Sequence, residues 1–135
     1  MTQPRTRLAA AVLDGPDPRG LAAFYEQLLG WTIAVSEPPR PGSPPEDGWV
    51  VLRPPGGGSA LSFQFEPDYV RPVWPPADGQ PRMMMHLDIA VEDLEQGVDW
   101  ATGLGATVAD HQPQQDVRVM LDPAGHPFCL FPGTV

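Results

Sequence analysis

Asp17-Pro18-Arg19-Gly20-Leu21-Ala22-Ala23-Phe24-Tyr25-Glu26-Gln27-Leu28-Leu29-Gly30 carries both of its own helix boundaries. Asp17 is an N-cap side chain, and Pro18 fits the first helical position, where no N–H is needed. Leu21, Phe24, Tyr25 and Leu28 recur at helical spacing, and Gly30 is a C-terminal stop. A second stretch follows the same plan. Asp93 caps a helix, Gln96 stands three residues on as its capping-box partner, and Leu94, Val98 and Ala101 form the apolar stripe. Gly103 or Gly105 ends it. Phe24 follows Asp17 by seven positions, as Trp100 follows Asp93, and the helices close on Leu29–Gly30 and Leu104–Gly105.

Outward from each helix the pattern turns to strands. Before the first helix, Leu8 to Leu13 is a short apolar run that fits a buried strand. After it, Trp31 to Val35, Trp49 to Arg53 and Ala60 to Phe65 read as three strands, the last two joined by the Pro54–Gly58 turn. Met83 to Val91 opens the second half, with Met84, His86 and Asp88 on one face and Leu87, Ile89 and Val91 on the other. Ala106 to Asp110, Val117 to Leu121 and Pro127 to Phe131 close it. The chain is therefore expected to be α+β, two βαβββ modules forming a curved mixed sheet around a shared cleft. One domain covers 1–135, with module 1 at about 6–66, a linker loop at 67–82 and module 2 at about 83–132.

Composition narrows the classes of function. At 135 residues, 41% hydrophobic and 19% charged, the chain suits one globular domain. A single cysteine excludes a disulfide framework or a multi-cysteine cluster from this chain alone. The formal charge of −9 argues against nucleic acid and anionic membrane surfaces as partners. All 8 basic residues are arginine, so no lysine can form a Schiff base or serve a P-loop. No apolar run approaches a bilayer span, and a cytoplasmic location is expected. Ten of the 19 prolines cluster in Ser36–Gly48 and Glu66–Arg82, five in each, and these segments are read as long loops on a packed domain.

These features resemble the vicinal oxygen chelate superfamily of glyoxalases, bleomycin-resistance proteins and extradiol dioxygenases, and its glyoxalase-like domain subgroup most. Asp17–Pro18, Leu21-Ala22-Ala23-Phe24-Tyr25, Leu28-Leu29-Gly30-Trp31, His86-Leu87-Asp88-Ile89-Ala90-Val91 with Asp93, and Asp122-Pro123-Ala124-Gly125-His126-Pro127-Phe128 carry the likeness. Metal-dependent members hold a divalent ion with side chains from the first and fourth strands of each half. Carried over residue by residue, those positions fall on Ala10, Gln64, His86 and Cys129. The set contains no carboxylate, so a complete metal site is not expected; His86 and Gln64 would be its remnant.

The resemblance implies a protein that binds a small organic molecule in the cleft, by sequestration or by metal-free chemistry with His86 as acid/base. The alternative is a metal-dependent lyase, isomerase or dioxygenase using His86 as a ligand. Trp49, Gln64, Trp74, Met84, Asp88, Arg118, Met120 and Cys129 are the expected ligand contacts, with Met84, Met120 and Trp49 as apolar walls and Trp74 closing over them. For Asp88 the competing assignment is a salt bridge to Arg118, for Cys129 a small buried hydrophobe, and for His126 a turn stabiliser. No cofactor is expected for folding, since Leu21, Phe24, Leu28, Leu94, Val98 and Trp100 should pack on Phe63, Phe65, Ile89, Phe128 and Leu130. Exposed strand edges lead to the expectation of a homodimer with two symmetric clefts.

Overall fold

A computed structural model of the chain describes residues 1–135. They divide into two compact units, Met1–Pro67 and Asp68–Val135.

The first unit runs β1 (Ala10–Gly15), α1 (Pro18–Leu29), β2 (Thr32–Glu37), β3 (Trp49–Arg53) and β4 (Ala60–Phe65). Its sheet has the order β1-β4-β3-β2. The chain crosses from β1 to the far edge through α1, then returns by the antiparallel β2-β3-β4 meander. β4 finishes parallel to β1, with Ala10 opposite Ala60 and Gly15 opposite Phe65. A helical crossover of this kind lays the helix over one face of the sheet. The Asp17 side chain accepts the Gly20 N–H, and Gly30 closes the helix in the left-handed region at φ 68°, where glycine bears no Cβ penalty. Leu21, Phe24 and Tyr25 are buried. Tyr25 stacks on Phe63 at 5.7 Å between ring centres, and Phe24 meets Tyr25 edge-on at 4.9 Å.

The second unit repeats the order with β5 (Leu87–Val91), α2 (Leu94–Gly103), β6 (Thr107–Val108), β7 (Arg118–Leu121) and β8 (Pro127–Pro132), its sheet running β5-β8-β7-β6. β5 and β8 are the parallel pair. The Asp93 side chain accepts the Gln96 N–H, and the helix ends at Gly103 with Leu104 as its C-cap. A Cβ on Gly97 would stand 2.9 Å from Val91 Cγ1, so the close approach of α2 to β5 needs glycine there. Phe128, Leu130, Met120 and Ala101 are fully buried.

The fold class and the two modules are as the sequence implied. Several local expectations differ. β2 covers Thr32–Glu37 rather than Trp31 to Val35, and β6 only Thr107–Val108 of Ala106 to Asp110. β1 begins at Ala10 rather than Leu8, because its partner β4 begins at Ala60; Leu8 is 74% exposed. β5 begins at Leu87 rather than Met83. The register sets His86 against Pro127, where β8 starts, and a proline nitrogen has no hydrogen for a ladder. Met85, which alternation sets on the face of Leu87 and Ile89, is therefore exposed, as is Met84. Trp100, expected in the core, is 56% exposed. It lies about 200° around the helix from Val98, off the stripe that Ala101 shares. Leu28, Leu94, Val98, Phe65 and Ile89 are half-buried.

The proline-rich segments are tied to their own units. In the first, Arg19 of α1 donates to the carbonyls of Glu37 and Pro45 at 3.0 and 2.7 Å. In the second, Tyr69 donates to the Ala124 carbonyl at 2.8 Å, and Arg71 to that of Pro123 at 3.1 Å.

Candidate functional site

Phe63 meets the helix in the first unit, so its strand neighbours Ser62 and Gln64 belong to the opposite face. Gln64 is paired with Trp49 on one side and Asp14 on the other. Its Nε2 donates to Asp14 Oδ1 at 3.2 Å. An open hollow of about 460 Å³ lies here, lined by Trp49, Gln64, Phe65, Glu37, Pro38, Arg40, Asp47 and Gly48. It combines an indole, an amide and charges of both signs. Asp47, 1% exposed, is held by Arg40. That guanidinium donates from Nη2 to Oδ1 at 2.7 Å and from Nε to Oδ2 at 2.9 Å, and the Arg40 backbone N–H adds a third bond at 2.9 Å. The Arg40 side-chain bonds, with its backbone bond next, lower the Asp47 carboxyl to about 2.

The second unit presents a different set on the face away from its buried Phe128 and Leu130. Asp88 stands directly opposite Cys129 across the parallel β5–β8 pair. His86, two residues before Asp88, brings Nε2 to 3.1 Å from Asp88 Oδ1. One donor atom from each of His86, Asp88 and Cys129 lies within 4.8 Å of the other two. The side chains of His86 and Asp88 are 40% and 64% exposed, and Cys129 is half-buried. Burial pushes the Cys129 thiol upward, and the Asp88 charge adds to the shift.

The expected ligand contacts fall in both units. Trp49 and Gln64 share the hollow of the first unit. His86, Asp88 and Cys129 are brought together in the second. Arg118 and Met120 are not with them. They pair with Leu130 and Phe128, which puts them on the other face of the sheet. Met120 is wholly buried, and Arg118 lines a hollow of about 300 Å³ with Leu94, Glu95, Val98 and Asp99 of α2. Arg118 donates to the carbonyls of Gln115 and Val117, and the partner of Asp88 is His86. Met84 is 90% exposed and lies outside the strand, so it builds no apolar wall within this unit. Trp74 donates Nε1 to the His111 carbonyl at 3.0 Å, its ring 5.9 Å from the imidazole.

His126 does serve its turn. The buried Asp122 carboxylate accepts from the backbone N–H of Ala124 and His126 and from His126 Nδ1. Sequence reasoning missed Asp14, Glu37, Arg40 and Asp47. Asp14 had a usable signal, since alternation from Val12 sets both on one face; the loop residues had none.

The model of the glyoxalase-like domain family matches residues 10–131. The chain belongs to this family. With it comes the vicinal oxygen chelate superfamily, and solved structures bear out the fold. The fosfomycin resistance protein FosX of Listeria monocytogenes superposes with a TM-score of 0.68 at 14% identity, over 97% of this chain and 95% of that one. A glyoxalase/bleomycin resistance protein/dioxygenase family enzyme of Burkholderia phytofirmans PsJN gives 0.63 at 16%, over 93% and 97%. Glyoxalase I of Leishmania major gives 0.61 at 16%, over 95% and 87%. No curated protein sequence matches the chain.

The Listeria protein was solved with manganese(II) and a dihydroxypropylphosphonic acid. The glyoxalase-like residues of this chain do not offer such an ion an oxygen-rich site. Ala10, at the place of His86 counted from the helix caps, has no donor atom. The strand register also moves one assignment. Val12 and Asp88 each stand five residues before their N-cap. Val12 faces Ser62 as Asp88 faces Cys129, so Ser62 rather than Gln64 is the counterpart of Cys129. A buried serine hydroxyl is a poorer ligand for a divalent ion than a carboxylate.

Proposed function

We propose that this glyoxalase-like protein binds a small organic molecule and holds it without the family's manganese-type metal set. The observation that carries this is the hollow of the first unit. The half-buried Trp49 lies beside Gln64 and the Arg40–Asp47 pair, an apolar plate next to groups that orient a polar substituent. The ligand chemistry that fits is a planar aromatic molecule with at least one hydrogen-bonding group. Sequestration needs nothing further from the chain.

Fluorescence titration with substituted aromatic ligands tests the assignment. Binding should quench tryptophan emission in the parent protein, and Trp49→Phe should remove most of that quenching. Equal quenching in the Trp49→Phe protein sinks the assignment. Gln64→Ala should weaken binding by about 1 kcal/mol, one hydrogen bond's worth.

A metal-dependent lyase, isomerase or dioxygenase has one observation in its favour, the meeting of His86, Asp88 and Cys129. His86 is then the residue to follow. Activity lost in His86→Ala together with a bound metal would place the chain in that class. No helix is long and apolar enough to cross a membrane. We further propose a homodimer, since β1 and β2 edge one sheet and β5 and β6 the other, and open edges need cover. A concentration-independent monomer in sedimentation runs would refute it.

A further inference from the structure

Asp88 and Cys129 are fixed by the β5–β8 ladder as direct neighbours on one face. His86 precedes the strand by one residue, so its imidazole reaches Asp88 without being held in the ladder. An imidazole, a carboxylate and a thiol thus converge, each within 4.8 Å of the others. Zinc bonds nitrogen and oxygen at about 2.0–2.2 Å and sulfur at about 2.3 Å. Tetrahedral corners at those lengths stand about 3.4–3.7 Å apart. His86 Nε2 and Asp88 Oδ1 are already at 3.1 Å, and small side-chain rotations close the remainder.

We propose that His86, Asp88 and Cys129 form a zinc site contained in the second unit, with a fourth position open to solvent or an anionic ligand. The donor set favours zinc over the hard ions. Thiolate and imidazole suit zinc, whereas manganese and magnesium want oxygen. One carboxylate and one thiolate also neutralise the charge of a divalent ion. Asp88 is what distinguishes this set from the superfamily positions, and no residue of the first unit takes part.

On binding, the Cys129 S–H bond breaks, a sulfur–zinc bond forms and the proton leaves to solvent. The metal and the proton compete for the same sulfur, so zinc affinity rises with pH. His86 must be neutral at Nε2 to donate its lone pair, which acts in the same direction. On the neighbouring strand of the same sheet, Arg118 pairs with Leu130 and so lies on the opposite face from these three groups.

The full-length protein, stripped with a chelator, is titrated with zinc chloride and separately with manganese chloride. Two readouts are followed: the rate of Cys129 alkylation by iodoacetamide, and proton release into weak buffer. One equivalent of zinc should slow alkylation by at least about tenfold and release a proton, while manganese at the same concentration does neither. His86→Ala and Asp88→Asn should each weaken zinc binding by about tenfold or more. Both side chains are substantially exposed, and far-ultraviolet circular dichroism confirms that the variants are folded. Unchanged alkylation with zinc in about tenfold excess overturns the site. So does full protection in His86→Ala or Asp88→Asn, which would reduce it to a lone thiol. Equal protection by manganese overturns the choice of metal.

Discussion

Arg40 closes on Asp47 with two parallel hydrogen bonds, Nη2 to Oδ1 at 2.7 Å and Nε to Oδ2 at 2.9 Å. The arginine side chain is 78% exposed, while the carboxylate it holds is 2% exposed. The six residues between them, 41–46, are thereby closed into a proline-rich loop before the start of β3. A fork-to-carboxylate pair of this geometry is specific to arginine.

The pair makes stability depend on acid. The folded Asp47 carboxyl titrates at about 2, below its ordinary 3.8, so folding favours the charged form. Its contribution is fully present above pH 3.8 and lost as pH falls through about 2. Thermal melts of the parent should therefore lose more stability between pH 4 and pH 2 than melts of Asp47→Asn. Parallel decline of the two proteins would refute the assignment.

Phe63 and Trp100 make a contrasting pair. Phe63 is wholly buried and stacked on Tyr25, so Phe63→Ala should cost about 3–5 kcal/mol through lost transfer energy and a cavity. Trp100 is 56% exposed, and Trp100→Ala should change stability by only about 0.5 kcal/mol. Urea denaturation of both variants measures the difference. A loss for Trp100→Ala as large as that for Phe63→Ala would contradict the burial.

These examples show where local signals suffice. Helix caps such as Asp17–Pro18 and Asp93 depend on side chains within a few residues of the backbone they satisfy, so the sequence displays them directly. The limits of β3 and β4 were legible for the same reason, bounded by glycine and proline turns. The start of β5 was not, because it is decided by Pro127, about forty positions along the chain. Alternation gives the two faces of a strand but not which one the helix covers. Arg118 and Met120 were misplaced on that account, since their face follows from pairing with Leu130 and Phe128. Within the candidate sites, His86, Asp88, Trp49 and Gln64 could be read from the family likeness. Arg40 and Asp47 could not, as no periodicity links two charges in a proline-rich loop.

Cys129 should be a sluggish nucleophile in metal-free protein. Burial, and then the Asp88 charge, raise its thiol above the ordinary value. Near pH 8 the folded thiol is therefore protonated to a greater extent than an unhindered cysteine. Its neutral form is the one folding prefers, so its contribution to stability persists below the unfolded value and fades as pH rises through the folded one. Alkylation at pH 8 should accelerate in denaturant and, more modestly, in Asp88→Asn. An Asp88→Asn protein that reacts more slowly than the parent would contradict the electrostatic cause.

Asp122 should be the most costly polar residue of the second unit to remove. Its Oδ1 accepts the Ala124 and His126 N–H groups at 2.9 and 3.0 Å, and its Oδ2 faces His126 Nδ1 at 2.9 Å. A carboxylate only accepts, so His126 donates from Nδ1. The turn so fixed presents the Ala124 carbonyl to the Tyr69 hydroxyl at 2.8 Å, and Tyr69 Oη lies 3.3 Å from His126 Nε2. Asp122→Ala strands two backbone donors in a buried turn, at about 1–3 kcal/mol each, whereas Tyr69→Phe removes a single hydroxyl worth about 1 kcal/mol. Chemical denaturation should thus rank Asp122→Ala well below Tyr69→Phe in stability, with His126→Ala between them. Limited proteolysis supplies the second measurement. Tyr69→Phe should expose segment 68–82 to cleavage while the global unfolding midpoint barely moves. Cleavage unchanged from the parent would mean that Arg71 and Trp74 hold the segment without Tyr69.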